Sequence, residues 1–130
     1  MKVLSLKEPF ATLIKEHYKC IETRSWKTNY RGELYIHASL TKMTKFDNRE
    51  ELKELIKDME MKNGYIICKC KLVDCIYMDE AFLKEIKKNH QEYICGQYEI
   101  GRYAWVLKDV EPLKEPIQVK GHLGIWNYDN

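Results

Sequence analysis

The chain has 130 residues and a mass of 15.6 kDa, with 45% hydrophobic and 32% charged residues, and its 22 Lys+Arg against 20 Asp+Glu leave a net charge of +2. A single domain's length with an ordinary apolar fraction excludes an intrinsically disordered chain, and so small a net charge excludes a heavily basic nucleic-acid binder, leaving only a local patch for that role. Five cysteines without a C-x-x-C pair give neither a zinc ribbon nor a redox pair; with no signal-peptide pattern and no membrane-length apolar run, the expectation is a reduced, cytoplasmic protein with no membrane contact.

Val3–Leu6 reads as a short strand, and Pro9 then suits the first turn of a helix, where its missing N–H costs nothing. Phe10, Leu13, Ile14 and His17 follow the i, i+3, i+4, i+7 stripe of one helical face. From Cys20 to Trp26 the period changes to two, with Cys20, Glu22, Arg24 and Trp26 on one face and Ile21, Thr23 and Ser25 on the other. Asn29–Gly32 is a turn. Glu33–Ser39 is a second alternating strand, Leu34, Ile36 and Ala38 facing the core and Tyr35, His37 and Ser39 the opposite side.

Asp47–Met61 is the clearest predicted helix, striped by Leu52, Leu55, Ile56 and Met59 and opened by Asn48 and Glu51 at capping-box spacing. A long strand follows over Tyr65–Met78, with Ile66, Cys68, Cys70, Leu72 and Ile76 inward; its length favours a curved strand in a barrel. Asp79 caps a helix running to about Asn89, Tyr93–Gly101 is a turn region, and Arg102–Leu113 is a strand with Pro112 and Pro116 at its exit. Ile117–Val119 and Leu123–Trp126 are short closing strands. About six strands and three helices without a β-α-β rhythm predict one α+β domain over residues 1–130, built as a small barrel.

The densest polar stretch, Lys15–Arg31, interleaves Lys15, Lys19, Arg24, Lys27 and Arg31 with Tyr18, Trp26 and Tyr30. Cations supply phosphate contacts and aromatic faces stack on bases, so this composition suits a nucleotide or single-stranded RNA site. It equally suits a solvated strand-turn surface, with Glu22 and Arg24 as a surface ion pair. His37 stands between a structural and a catalytic reading in the same way. No Ser-His-Asp signature, phosphate-cradling glycine loop or metal-spaced His/Cys cluster occurs, so neither metal nor cofactor is expected.

Three blocks of sequence resemble the ASCH family, relatives of the PUA domain: Ser5–Ala11 with Leu13-Ile14, Lys19–Trp26, and Tyr30–Ser39. The far end agrees over Gly101–Leu107, Pro116-Ile117 and Gly121–Trp126, so the resemblance covers nearly the whole chain. It implies a PUA-like β-barrel with flanking helices, and RNA or nucleotide binding in a cleft beside the Lys-x-x-Glu-x-Arg strand.

By that resemblance Lys19 would be the cleft's cationic group, Glu22 and Arg24 would project into the cleft, and Trp26 would stack or pack there. Arg31 would hold a phosphate or buttress Glu22, while His37 and Ser39 would reach the cleft from the second strand and Ser5 and Lys7 from the first. Two enzymatic alternatives accompany the binding module. A ribonuclease would draw base, acid and phosphate clamp from Lys19, Glu22, Arg24 and His37. An amidohydrolase acting on an acylated nucleoside such as acetylcytidine would use Lys19 with a threonine, but Glu22 occupies that threonine's place, and the distant acid would be Glu92 or Glu99. Oligomeric state stays open at this level.

Overall fold

The computed structural model describes residues 1–42 and 49–129. Period-two alternation of apolar residues builds a sheet of β1 (Lys2–Glu8), β2 (Ile21–Arg24), β3 (Gly32–Lys42), β4 (Tyr65–Tyr77), β5 (Tyr103–Gln118) and β6 (Ile125–Asn127). Four short helices accompany it: α1 (Phe10–Lys15), α2 (Glu50–Ile56), α3 (Glu80–Ile86) and α4 (His90–Ile94). The strand order is β2-β5-β4-β3-β1-β6, with β1 parallel to β3 and every other pairing antiparallel.

The α+β class holds, but the sheet is open rather than a closed barrel. Its edges are β2, paired to β5 alone, and β6, paired to β1 alone. At four and three residues, these edge strands are also the shortest in the sheet.

The core forms where α1 lays Ala11 and Ile14 over Leu4, Leu6, Leu34, Ile36, Cys68, Leu72 and Trp105 of the sheet. Full burial of one such aliphatic side chain stabilises the fold by ~1.5–3 kcal/mol. Cys68 and Cys70 are buried fillers here, and all five cysteines are free. Several sequence expectations change in detail. Helix α1 stops at Lys15, so His17 leaves the helical stripe and sits at φ 65°. Helix α2 is shorter than Asp47–Met61 and has no side-chain cap, while the expected cap Asn48 lies outside the described residues.

Ile76 is exposed rather than inward, because the β4–β5 register shifts between Leu72 and Asp74 and turns the strand's last residues over. The expected helix after Asp79 ends at Ile86, short of Asn89, and an unexpected one follows it: Asp79 accepts from the Phe82 N–H at 2.8 Å to open α3, and Asn89 accepts from the Glu92 N–H at 3.3 Å to open α4. Ile117 is not in a separate strand but continues β5, which runs through both prolines. Pro112 sits opposite Cys68, where the ladder is already irregular.

Candidate functional site

The parallel register of β1 with β3 sets Ser5 directly opposite His37. Ser5 Oγ lies 3.0 Å from His37 Nδ1 and also 3.0 Å from the Trp126 indole nitrogen. The indole can only donate, so the serine oxygen accepts from Trp126; the Val119 carbonyl facing the other ring nitrogen can only accept, so in the neutral ring Nδ1 accepts the serine proton. His37 Nε2 then carries the ring proton and donates to the Val119 carbonyl at 2.8 Å. Burial pushes the His37 pKa below its ordinary value; the hydrogen bonds to the Val119 and Gly64 carbonyls oppose this, and the charge of His122 adds to it. The neutral imidazole is thus a structural tie between two strands and the segment that leads to β6.

Above this tie passes Gly121. A Cβ there would stand 2.7 Å from both Ser5 Oγ and His37 Cε1, so only glycine lets the backbone approach so closely.

Beside the tie opens a cleft of about 740 Å³. Of the residues expected from sequence, Ser5, Lys7, Glu22, Arg24, Trp26, His37 and Ser39 line it. Glu22 and Arg24 form an ion pair, Oε2 to Nε 3.0 Å, with the Nε–H turned off the hydrogen-bond line. Arg24 Nη2 donates to the Ser5 carbonyl at 2.8 Å, tying β2 to β1. Trp26 is 39% exposed; its ring stands edge-on to the buried Trp105 with centroids 4.7 Å apart, and its carbonyl accepts from the Trp105 indole at 3.2 Å. Trp26 is therefore an aromatic surface held in place rather than a free one.

Two expected residues lie elsewhere. Lys19 does not line the cleft: it is 2% exposed, with its ammonium 5.5 Å from the centroid of Phe10. That ammonium has no hydrogen-bond partner, and among the described residues no carboxylate pairs with it. Arg31 neither holds a place in the cleft nor buttresses Glu22, since the carbonyls of Thr28 and Tyr30 and the carboxylate of Asp74, at 3.9 Å, take up its guanidinium. The pattern could not foresee this, because Arg31 follows a turn whose direction is set by Tyr30 bonding back to the Glu33 carbonyl.

The two candidate distant acids are also outside the cleft. Glu92 is buried and accepts from the Cys20 N–H at 2.7 Å, the Cys20 thiol at 3.0 Å and the Tyr98 hydroxyl at 3.3 Å. Burial, reinforced by the Glu92 carboxylate, holds the Cys20 thiol up at about 12, so it stays protonated. Glu99 is exposed and 3.4 Å from the Gln97 amide.

The cleft also contains residues that the sequence reading did not single out. Arg49, arriving from the start of α2, donates to the Ile94 and Gly96 carbonyls at 3.1 and 2.9 Å. Arg102 donates to the carbonyls of Gln97 and Thr23 at 3.1 and 3.3 Å. Lys120, Gly121, His122 and Leu123 close the far side. Among the described residues, five cations, Lys7, Arg24, Arg49, Arg102 and Lys120, therefore line the cleft with one carboxylate, Glu22. Arg24 is shared between the Glu22 carboxylate and the Ser5 carbonyl, Arg49 and Arg102 are braced by backbone carbonyls, and Lys7 and Lys120 are exposed and make no ion pair among the described residues. Such a cleft attracts an anion. Among the described residues no three His, Cys, Asp or Glu side chains gather to hold a metal, and no helix is long and apolar enough to cross a membrane.

The model of the ASCH domain family matches residues 4–117. Activating signal cointegrator 1 of Homo sapiens and of Mus musculus are each 27% identical over 139 residues, covering 98% of this chain but 22% of the relative. The chain thus spans about a fifth of the length of these curated relatives. Among solved structures, the ASCH protein of Zymomonas mobilis superposes with a TM-score of 0.56 at 19% identity, over 90% of this chain and 72% of that one. A tyrosine-to-phenylalanine mutant of it gives 0.53 at 18%, over 90% and 74%. Likeness at this identity concerns the fold.

Proposed function

We propose that the chain, which belongs to the ASCH domain family, binds single-stranded RNA or a nucleotide in the cleft between β1, β2, β3 and the segment before β6. The observation that carries this reading is the charge of the cleft, lined among the described residues by five cations and one carboxylate on a chain whose net charge is only +2. Lys7 and Lys120 are exposed and able to meet phosphates, Arg102, bonded to carbonyls, adds positive potential beside them, and Trp26 offers a face for a base. Glu22, held by Arg24, keeps an acceptor oxygen for the donor edge of a base.

A hydrolytic reading has less support. It needs Lys19 and His37 to meet a substrate, yet Lys19 is buried against Phe10 and both nitrogens of His37 are engaged. Neither candidate distant acid lies in the cleft.

Titration with a short single-stranded RNA, followed by tryptophan fluorescence, tests the binding reading. Saturable quenching that disappears in Trp26→Leu while the fold is retained is the expected result. No saturable signal, with no shift in an anisotropy titration of labelled RNA, would overturn it; shortened RNA recovered afterwards would favour the ribonuclease.

A further inference from the structure

The two most exposed large hydrophobic side chains of the described residues, Leu123 at 98% and Leu40 at 73%, both border the cationic cleft. Isolated exposed leucines are ordinary on a protein surface, but these two share one site. Leu40 is packed on the sheet, and the backbone that carries Leu123 is held on both sides. Leu40 belongs to β3 and packs beside Gly64, whose absent Cβ would stand 3.3 Å from it. Leu123 lies between Gly121, seated on Ser5 and His37, and Gly124, at φ +64°; the segment is pinned where His37 binds the Val119 carbonyl and where His122 stands edge-on to Trp126 at 5.0 Å.

We infer that Leu40 and Leu123 are the apolar jaws of a base-holding subsite, so that the cleft selects an unpaired nucleobase together with its phosphates. This rests on the nucleic-acid reading above and extends it from charge to the identity of the ligand. Anion binding alone would need cations and no apolar rim. A ligand that joins a flat apolar ring to a phosphate satisfies both halves: the ring lies against Leu40, Leu123 and the face of Trp26, and the phosphates reach Lys7 and Lys120. A duplex hides its ring faces by stacking, so the jaws exclude it.

The test compares a short single-stranded RNA with inorganic polyphosphate of matched charge and with the same RNA annealed to its complement, on wild type and on Leu123→Ser. Leu123 is exposed, so its substitution leaves the melting temperature unchanged. Wild type should prefer single-stranded RNA over both competitors by about tenfold, the scale of one base contact, and Leu123→Ser should lose that preference while retaining its binding of polyphosphate. Equal wild-type affinity for RNA and polyphosphate, or a preference that survives in Leu123→Ser, would overturn the jaws and leave the cationic cleft standing. Absence of RNA and polyphosphate binding alike would overturn both readings.

Discussion

Ser5 and His37, 32 residues apart in the chain, share one hydrogen bond of 3.0 Å beneath the backbone of Gly121. Through it β1, β3 and the segment before β6 become one wall of the cleft. The wall depends on a side chain that is missing. Gly121→Ala would place a methyl 2.7 Å from Ser5 Oγ and His37 Cε1, and both are held by further hydrogen bonds, so neither can move away cheaply. Overpacking of this kind costs ~1–3 kcal/mol. Chemical denaturation should show that loss, and RNA affinity should fall with it; an alanine variant as stable as wild type would mean that the segment is free to lift.

The same histidine sets a pH dependence. Its folded pKa lies below the ordinary 6.5, so the unfolded chain takes up a proton more readily than the folded one. Its contribution is fully present above pH 6.5 and is lost as the pH falls through the folded value. Melting temperature followed downward from neutral pH should decline, and His37→Gln, which retains a donor for the Val119 carbonyl but cannot titrate, should flatten the decline between pH 6.5 and the carboxylate range. Parallel curves for the two proteins would assign the decline to other groups.

Lys19 carries an opposite expectation. Its ammonium is buried and, among the described residues, has no hydrogen-bond partner and lies over the ring of Phe10. Lys19→Met replaces an uncompensated charge by an apolar chain of similar length and should raise stability by about 1 kcal/mol or more, since an unsatisfied buried polar group costs ~1–3 kcal/mol and the cation–π contact returns less. RNA affinity should not change, because Lys19 lies outside the cleft. Loss of binding in a stable Lys19→Met protein would show that the amine reaches the ligand.

Arg24 should behave as both brace and charge. Arg24→Ala removes its bond to the Ser5 carbonyl and leaves Glu22 without its ion-pair partner. A loss of ~1.5–3 kcal/mol is expected, the worth of a hydrogen bond to a charged group. Weaker binding without any loss of stability would make Arg24 a ligand contact alone.

Much of the cleft was legible because strand alternation is a strict code. Leu34, Ile36 and Ala38 are buried as their alternation requires, and Glu22, Arg24 and Trp26 meet in the cleft. Thr23 and Ser25 of the opposite face also line it, however, and Cys20 of the same face does not, because β2 ends at Arg24. The code fails at irregularities. The register shift after Leu72 exposes Ile76, while His37, on its expected face, is buried because Trp126 and the backbone of Gly121 lie over it. It is also silent about long-range closure: the sheet's open edges and the arrival of Arg49, Arg102 and Lys120 at one cleft depend on how distant segments pack. The resemblance blocks did contain Arg102 and Gly121, but nothing local marked Arg49. Lys19 shows the limit in reverse, since a cation in a basic-aromatic stretch is read as surface until packing buries it.

On the proposed function, the exposed cations of this cleft hold nucleic-acid phosphates. The direct measurement is the affinity for single-stranded RNA against salt, for wild type, Lys7→Ala and Lys120→Ala. Each lost phosphate contact should lower the magnitude of the log-log slope by about 0.7 while the melting temperature stays constant. A slope near zero in wild type, or one that neither substitution changes, would contradict the account.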